Sequence, residues 1–93
     1  MERQIIRRRY RFYGRVQGVG FRYYAQYAAD SAGVTGWVRN EYDGSVTMEL
    51  QGSVFQMEQV LKSMQNGRFI RIDRMEWDNI PTDNNERSFR VRY

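Results

Sequence analysis

At 93 residues the chain has room for one domain and one core, and its 41% hydrophobic and 28% charged residues exclude the composition of a disordered segment. The formal net charge is +4, with fourteen arginines against the single lysine Lys62; this favours anionic partners without choosing among nucleic acid, an acidic surface and a small phosphorylated molecule. Cysteine and histidine are both absent, which excludes a disulfide framework, a thiolate nucleophile, a Cys/His zinc site and the usual imidazole proton shuttle.

Near the N-terminus, Arg3, Arg7, Arg8 and Arg9 surround only Ile5 and Ile6, so no apolar core of signal-peptide length is present. No apolar run approaches the ~20 residues of a membrane span. Cytoplasmic residence without a membrane partner is the expectation. The segment Ile5 to Tyr13 alternates, with Ile6, Tyr10 and Phe12 on one face and Arg7, Arg9 and Arg11 on the other, the period of a half-buried strand whose arginine face is expected to be solvated. The glycine-rich stretch Gly14 to Gly20 continues neither a strand nor a helix. From Phe21 the period changes: Phe21, Tyr24, Ala25, Ala28 and Ala32 mark one helix stripe, ended by Gly33.

Two strands follow, Val34 to Asn40 and Ser45 to Gln51, joined by the Asp43-Gly44 turn signal of a hairpin. Ser53 and Gln56 form a capping-box pattern that opens a second helix, with Val54, Met57, Val60, Leu61 and Met64 as its buried stripe and Asn66-Gly67 as its stop. In Phe69 to Trp77, Ile70 and Ile72 share one phase, while Met75 and Trp77 share the other; a bulge near Asp73 reconciles them. After a polar loop from Pro81 to Glu86, Phe89, Val91 and Tyr93 line one face of a short last strand. The order βαββαβ plus an extra C-terminal strand predicts an α+β, ferredoxin-like (split βαβ) fold. It has two helices on one face of a mostly antiparallel sheet, in a single domain spanning 1–93.

That fold hosts many functions, so the site must carry the argument. The loop from Gly14 leads straight into a helix start, where unpaired N–H groups and about half a unit of positive charge collect. Glycines let successive amides converge into a nest, and Arg22 in the first helical turn can direct its guanidinium at a phosphate-sized anion there. Read from the glycines alone, the loop is more simply a tight strand-to-helix connection in which they merely permit the turn. The G-x-x-x-x-G-K-[ST] and G-x-G-x-x-G patterns are both missing, which disfavours the common nucleotide sites.

The stretch Gly14-Arg15-Val16-Gln17-Gly18-Val19-Gly20-Phe21-Arg22 closely resembles the first signature of the acylphosphatase family. Gly36-Trp37-Val38-Arg39-Asn40, followed by Asp43-Gly44-Ser45-Val46 and Gly52, resembles its second signature. The resemblance extends along the chain, with mild departures at Phe12, at Ala32-Gly33-Val34 and after Gly67. It implies hydrolysis of acyl phosphates to carboxylate and inorganic phosphate, without metal or cofactor. On that resemblance Arg15, Val16, Gln17, Gly18, Val19, Gly20 and Arg22 hold the phosphoryl group, and Asn40 orients the attacking water. Trp37 and Trp77 are expected on core or sheet faces, and Arg39 on the strand face opposite Asn40, solvated.

Two other readings stand beside this one. An RNA-stacking module of the same fold needs aromatics in the third strand, but Ser45 to Gln51 has none; no nucleic-acid partner is expected. A catalytically idle anion-binding domain would keep the same residues. Size and the lack of an evident sticky face predict a monomer.

Overall fold

Alternation of apolar and charged side chains draws the first segment into strand β1 (Ile6–Arg15), and the glycine-rich loop then delivers the chain to helix α1 (Phe21–Ala32). The hairpin β2 (Thr35–Asn40) and β3 (Val46–Gly52) follows, then α2 (Val54–Met64), β4 (Arg71–Ile80) and β5 (Phe89–Arg92). The computed structural model describes residues 4–93; Arg3 of the basic N-terminal stretch lies outside them. The strands form one sheet in the order β4-β1-β3-β2-β5, antiparallel except where β5 runs parallel to β2. Both helices cover one face, and this is the ferredoxin-like α+β arrangement.

The core lies between that face and the helices. Tyr10 and Phe12 from β1, Val38 from β2, and Val46, Met48 and Leu50 from β3 meet Phe21, Ala25, Ala28 and Ala29 from α1 and Met57, Val60 and Met64 from α2. Two positions expected in the helix stripes are instead exposed, Tyr24 and Val54. In α1 the stripe is centred on small side chains, and Ala29 is buried where periodicity had offered Tyr24. A wide apolar face satisfies a 3.6-residue period on either flank, and close helix packing favours the flank without a ring.

Local signals hold the helices in place. Ser53 and Gln56 exchange both capping-box hydrogen bonds, and Gln56 Nε2 also reaches Ala32 O at 2.9 Å, tying the start of α2 to the end of α1. Gly33 closes α1 in the left-handed conformation. In β4 the partner of Tyr13 is Arg74 and the partner of Gly14 is Ile72, so Asp73 is the extra residue of a bulge.

The open face of the sheet corrects the expectation of a solvated arginine run. Arg7 is 4% exposed. Its guanidinium grips Glu86 at two oxygens, 2.7 and 3.0 Å, and Glu49 at 2.8 Å. Arg9 reaches the second Glu49 oxygen at 2.8 Å. Arg11 and Arg39 share Glu41 at 3.1 and 2.7 Å, so Arg39 is half-exposed and paired. Alternation alone records which way Arg7 points, but Glu86 arrives from the loop before β5, far away in sequence. Trp37 is buried on this face beneath Arg39 and Arg92, whereas Trp77 sits half-exposed at the β4 edge under Arg8. None of the described helices is long and apolar enough to cross a membrane.

Burial pushes the Glu49 carboxyl up, but hydrogen bonds from Arg9 and Arg7 and their charges outweigh it and leave the pKa lowered from 4.5. A carboxyl whose pKa falls on folding adds stability that is full above its unfolded value and lost as pH drops through the folded one. Urea midpoints are therefore expected to hold above about pH 5 and decline below about pH 4.5. Glu49→Gln, which leaves Glu86 as the one carboxylate on Arg7, is expected to cost about 3 kcal/mol near neutrality and to flatten the acid decline.

Candidate active site

β3 pairs antiparallel with both β1 and β2, so β1 and β2 run parallel and finish at the same edge of the sheet. Phe12, Val46 and Asn40 occupy one row across these three strands. The turn that leaves β1 for α1 and the asparagine that ends β2 are thereby brought together. Because β5 is parallel to β2 and its Arg92 pairs with Arg39, Tyr93 reaches that edge too.

A cavity of about 260 Å³ opens there, lined by Val16, Gly18, Gly20, Phe21, Arg22, Tyr23 and Asn40. Gly20 precedes α1 at φ 80° and Gly18 lies at φ 71°, both in the left-handed region. The start of α1 has no side-chain cap and no acidic residue in its first turn. Isolated, such a start is electrostatically unfavourable, and a guanidinium at its second position makes it more so. Arg22 makes no ion pair among the described residues; its Cζ lies 4.8 Å from the centre of the Tyr93 ring. Opposite stands Asn40, whose Oδ1 is buried without a hydrogen-bond partner among the described residues. A buried carbonyl oxygen left unmatched costs about 1–3 kcal/mol, a penalty tolerated at sites that receive a ligand or a water.

Not every residue expected at this site faces the cavity. Val16 lines the cavity while also belonging to the buried core, and Val19 packs against that core without lining the cavity. Arg15 is the last residue of β1, exposed and paired across the strand with Arg71. Gln17 directs its side chain away, to the β2–β3 loop. Arg22, Asn40, Gly18 and Gly20 do converge, and Tyr23 and Phe21 join them. Tyr23 and Tyr93 were not legible as site residues: an exposed tyrosine carries no pattern, and only strand pairing places Tyr93 beside Arg22.

A family model, acylphosphatase, matches residues 8–91. The chain belongs to the acylphosphatase family. It is 40% identical over 94 residues to an acylphosphatase of Clostridium acetobutylicum, covering all of this chain and 99% of the relative. With an acylphosphatase of Oceanobacillus iheyensis it shares 43% identity over 82 residues, 86% of this chain and 90% of the relative. Among solved structures, the acylphosphatase of Bacillus subtilis superimposes with a TM-score of 0.86 at 30% identity, covering 97% of this chain and all of the other. Family membership accounts for both signatures at once, the glycine loop with Arg22 and the strand ending in Asn40.

The loop glycines differ in what they require. At Gly18 an added Cβ meets nothing within 4 Å, so Gly18→Ala bears only the left-handed backbone, about 1–2 kcal/mol. At Gly14 the Cβ would lie 2.3 Å from Arg71 O and 2.8 Å from Asp73 N, against backbone that cannot yield. Thermal melts of the two variants are expected to show Gly14→Ala clearly the more damaging.

Proposed function

We propose that the protein hydrolyses acyl phosphates to a carboxylate and inorganic phosphate, without metal or cofactor. The observation that carries this reading is the unmatched, buried Asn40 Oδ1 in one cavity with Arg22 and the uncapped start of α1. Family membership supports it, as does the chemistry of a chain lacking histidine and cysteine.

In this mechanism the amides of Val16 to Gly20 and the Arg22 guanidinium hold the phosphoryl oxygens. Phosphoryl transfer spreads charge over those oxygens in a loose transition state, so positioning and fixed donors supply most of the catalysis. Asn40 Oδ1 accepts a hydrogen bond from the attacking water and so turns an oxygen lone pair towards phosphorus. The water oxygen bonds to phosphorus as the bond to the acyl oxygen breaks, and the carboxylate leaves with the electron pair. The water proton passes to a phosphate oxygen. A carboxylate whose acid has a pKa near 4 leaves without protonation at neutral pH, so no imidazole is needed. An alkyl phosphate ester, whose alkoxide requires an acid, is a poor substrate for such a site. The proposal also has the chain acting as a single-domain monomer in the cytoplasm, with no nucleic-acid partner.

Phosphate release from benzoyl phosphate in the presence of a chelator is the test, beside an alkyl ester control. Arg22→Ala is expected to lower kcat by at least 10²–10³-fold, the loss seen on removing one transition-state donor, and to weaken inorganic phosphate binding. Asn40→Ala is expected to slow turnover comparably while phosphate binds nearly as before. Equal loss of phosphate affinity in both variants would overturn the division of roles. Tight phosphate binding without turnover in the unaltered protein would instead mark an idle anion-binding domain.

A further inference from the structure

The Gln17 side chain does work that its loop backbone does not. Its Nε2 donates to Glu41 O and Ser45 O, each at 2.8 Å. These two carbonyls belong to the residues that close the β2–β3 loop, where Glu41 N–H donates to Ser45 O at 2.8 Å. Inside the loop, the Asp43 carboxylate accepts from the Ser45 amide at 3.0 Å and so stiffens the same turn. Glu41 directly follows Asn40. On the opposite face of the sheet its carboxylate is gripped by Arg39 at 2.7 Å and Arg11 at 3.1 Å. The residue after Asn40 is therefore held through its amide, its carbonyl and its side chain.

Asn40 needs that support, because its Oδ1 has no hydrogen-bond partner among the described residues to aim it. Its direction is inherited from the backbone at 40–41. The glycine loop and the hairpin are otherwise separate pieces of chain, leaving different strands. We propose that Gln17 is a positioning residue that ties the cradle to the hairpin and sets the Asn40 carboxamide at its working distance from the phosphoryl site. It acts on the attack of water and leaves the hold on phosphate unchanged. A side-chain amide suits the task because one nitrogen carries two protons, matching two carbonyl oxygens; a carboxylate of the same length offers them only lone pairs. A misplacement of about 1 Å at a reacting group costs on the order of 10²-fold in rate. The inference rests on the hydrolase reading given above.

The experiment compares Gln17→Met and Gln17→Asn in the full chain, each alone and combined with Asn40→Ala. Methionine keeps length without donors; asparagine keeps the amide but falls one methylene short, and serves if the first variant does not fold. Benzoyl phosphate turnover supplies kcat and KM, and calorimetry supplies the Kd of inorganic phosphate. The expected result is a fall in kcat of about 10–100-fold, with the phosphate Kd unchanged within about twofold and no further loss once Asn40 is alanine. A parallel loss of phosphate affinity, an unchanged kcat, or a full repeat of the loss in the Asn40→Ala background would each overturn the proposal. Failure of the function itself reads differently: the unaltered protein would not turn over benzoyl phosphate, or Asn40→Ala would run at its rate.

Discussion

β3 lies between β1 and β2 and pairs antiparallel with both, and that pairing makes one edge of the sheet the meeting place of the loop before α1 and Asn40. Two segments about twenty residues apart become two walls of one cavity. The pairing tolerates no side chain at Gly36, where an added Cβ would fall 1.8 Å from Glu49 O. Gly36 holds φ at 146°, a conformation that side-chain-bearing residues rarely adopt, and there the backbones of β2 and β3 make their close approach. A larger residue at that position would force the two strands apart and carry Asn40 away from the loop.

Charge is arranged differently on the two sides of this framework. On the open face of the sheet Arg7, Arg9, Arg11 and Arg39 are each matched to Glu49, Glu86 or Glu41, so their charge is spent inside the molecule. At the start of α1 the opposite holds, for a bare helix terminus and the Arg22 guanidinium add in sign, and the Tyr93 ring beneath Arg22 supplies only the modest attraction of a cation over an aromatic face. Folding thus leaves an arginine without an ion pair among the described residues beside a bare helix start at this small concavity. Glu41 links the two sides: its carboxyl is held below the usual range chiefly by the Arg39 hydrogen bond, and its carbonyl meets Gln17 on the way to the cavity.

Much of the fold was legible because its signals are local. The two-residue period of β1, the capping box at Ser53 and Gln56, the glycine stop at Gly33 and the phase slip at Asp73 each depend on neighbours a few residues away, and each is found in place. Local patterns were silent where the partner is remote. The burial of Arg7 depends on Glu86, seventy-nine positions on, and the exposure of Tyr24 depends on how closely α1 packs against the rest of the core. The loop was readable as a candidate anion site from its glycines and Arg22, yet which side chains face the cavity was not, since Val19 and Gln17 leave it for the core and the hairpin.

By itself the sequence determined the order of elements and the family, and it marked Arg22 and Asn40 as the candidate pair, because motif spacing and hydrophobic period are properties of the chain read in one dimension. Only the tertiary structure decided that β5 lies parallel to β2, that Tyr93 meets Arg22, and that Gln17 clasps the loop beside Asn40. Those contacts join residues twenty-four to seventy-one positions apart, and their energy exists only once the sheet has closed, so no stretch of chain carries their signature on its own.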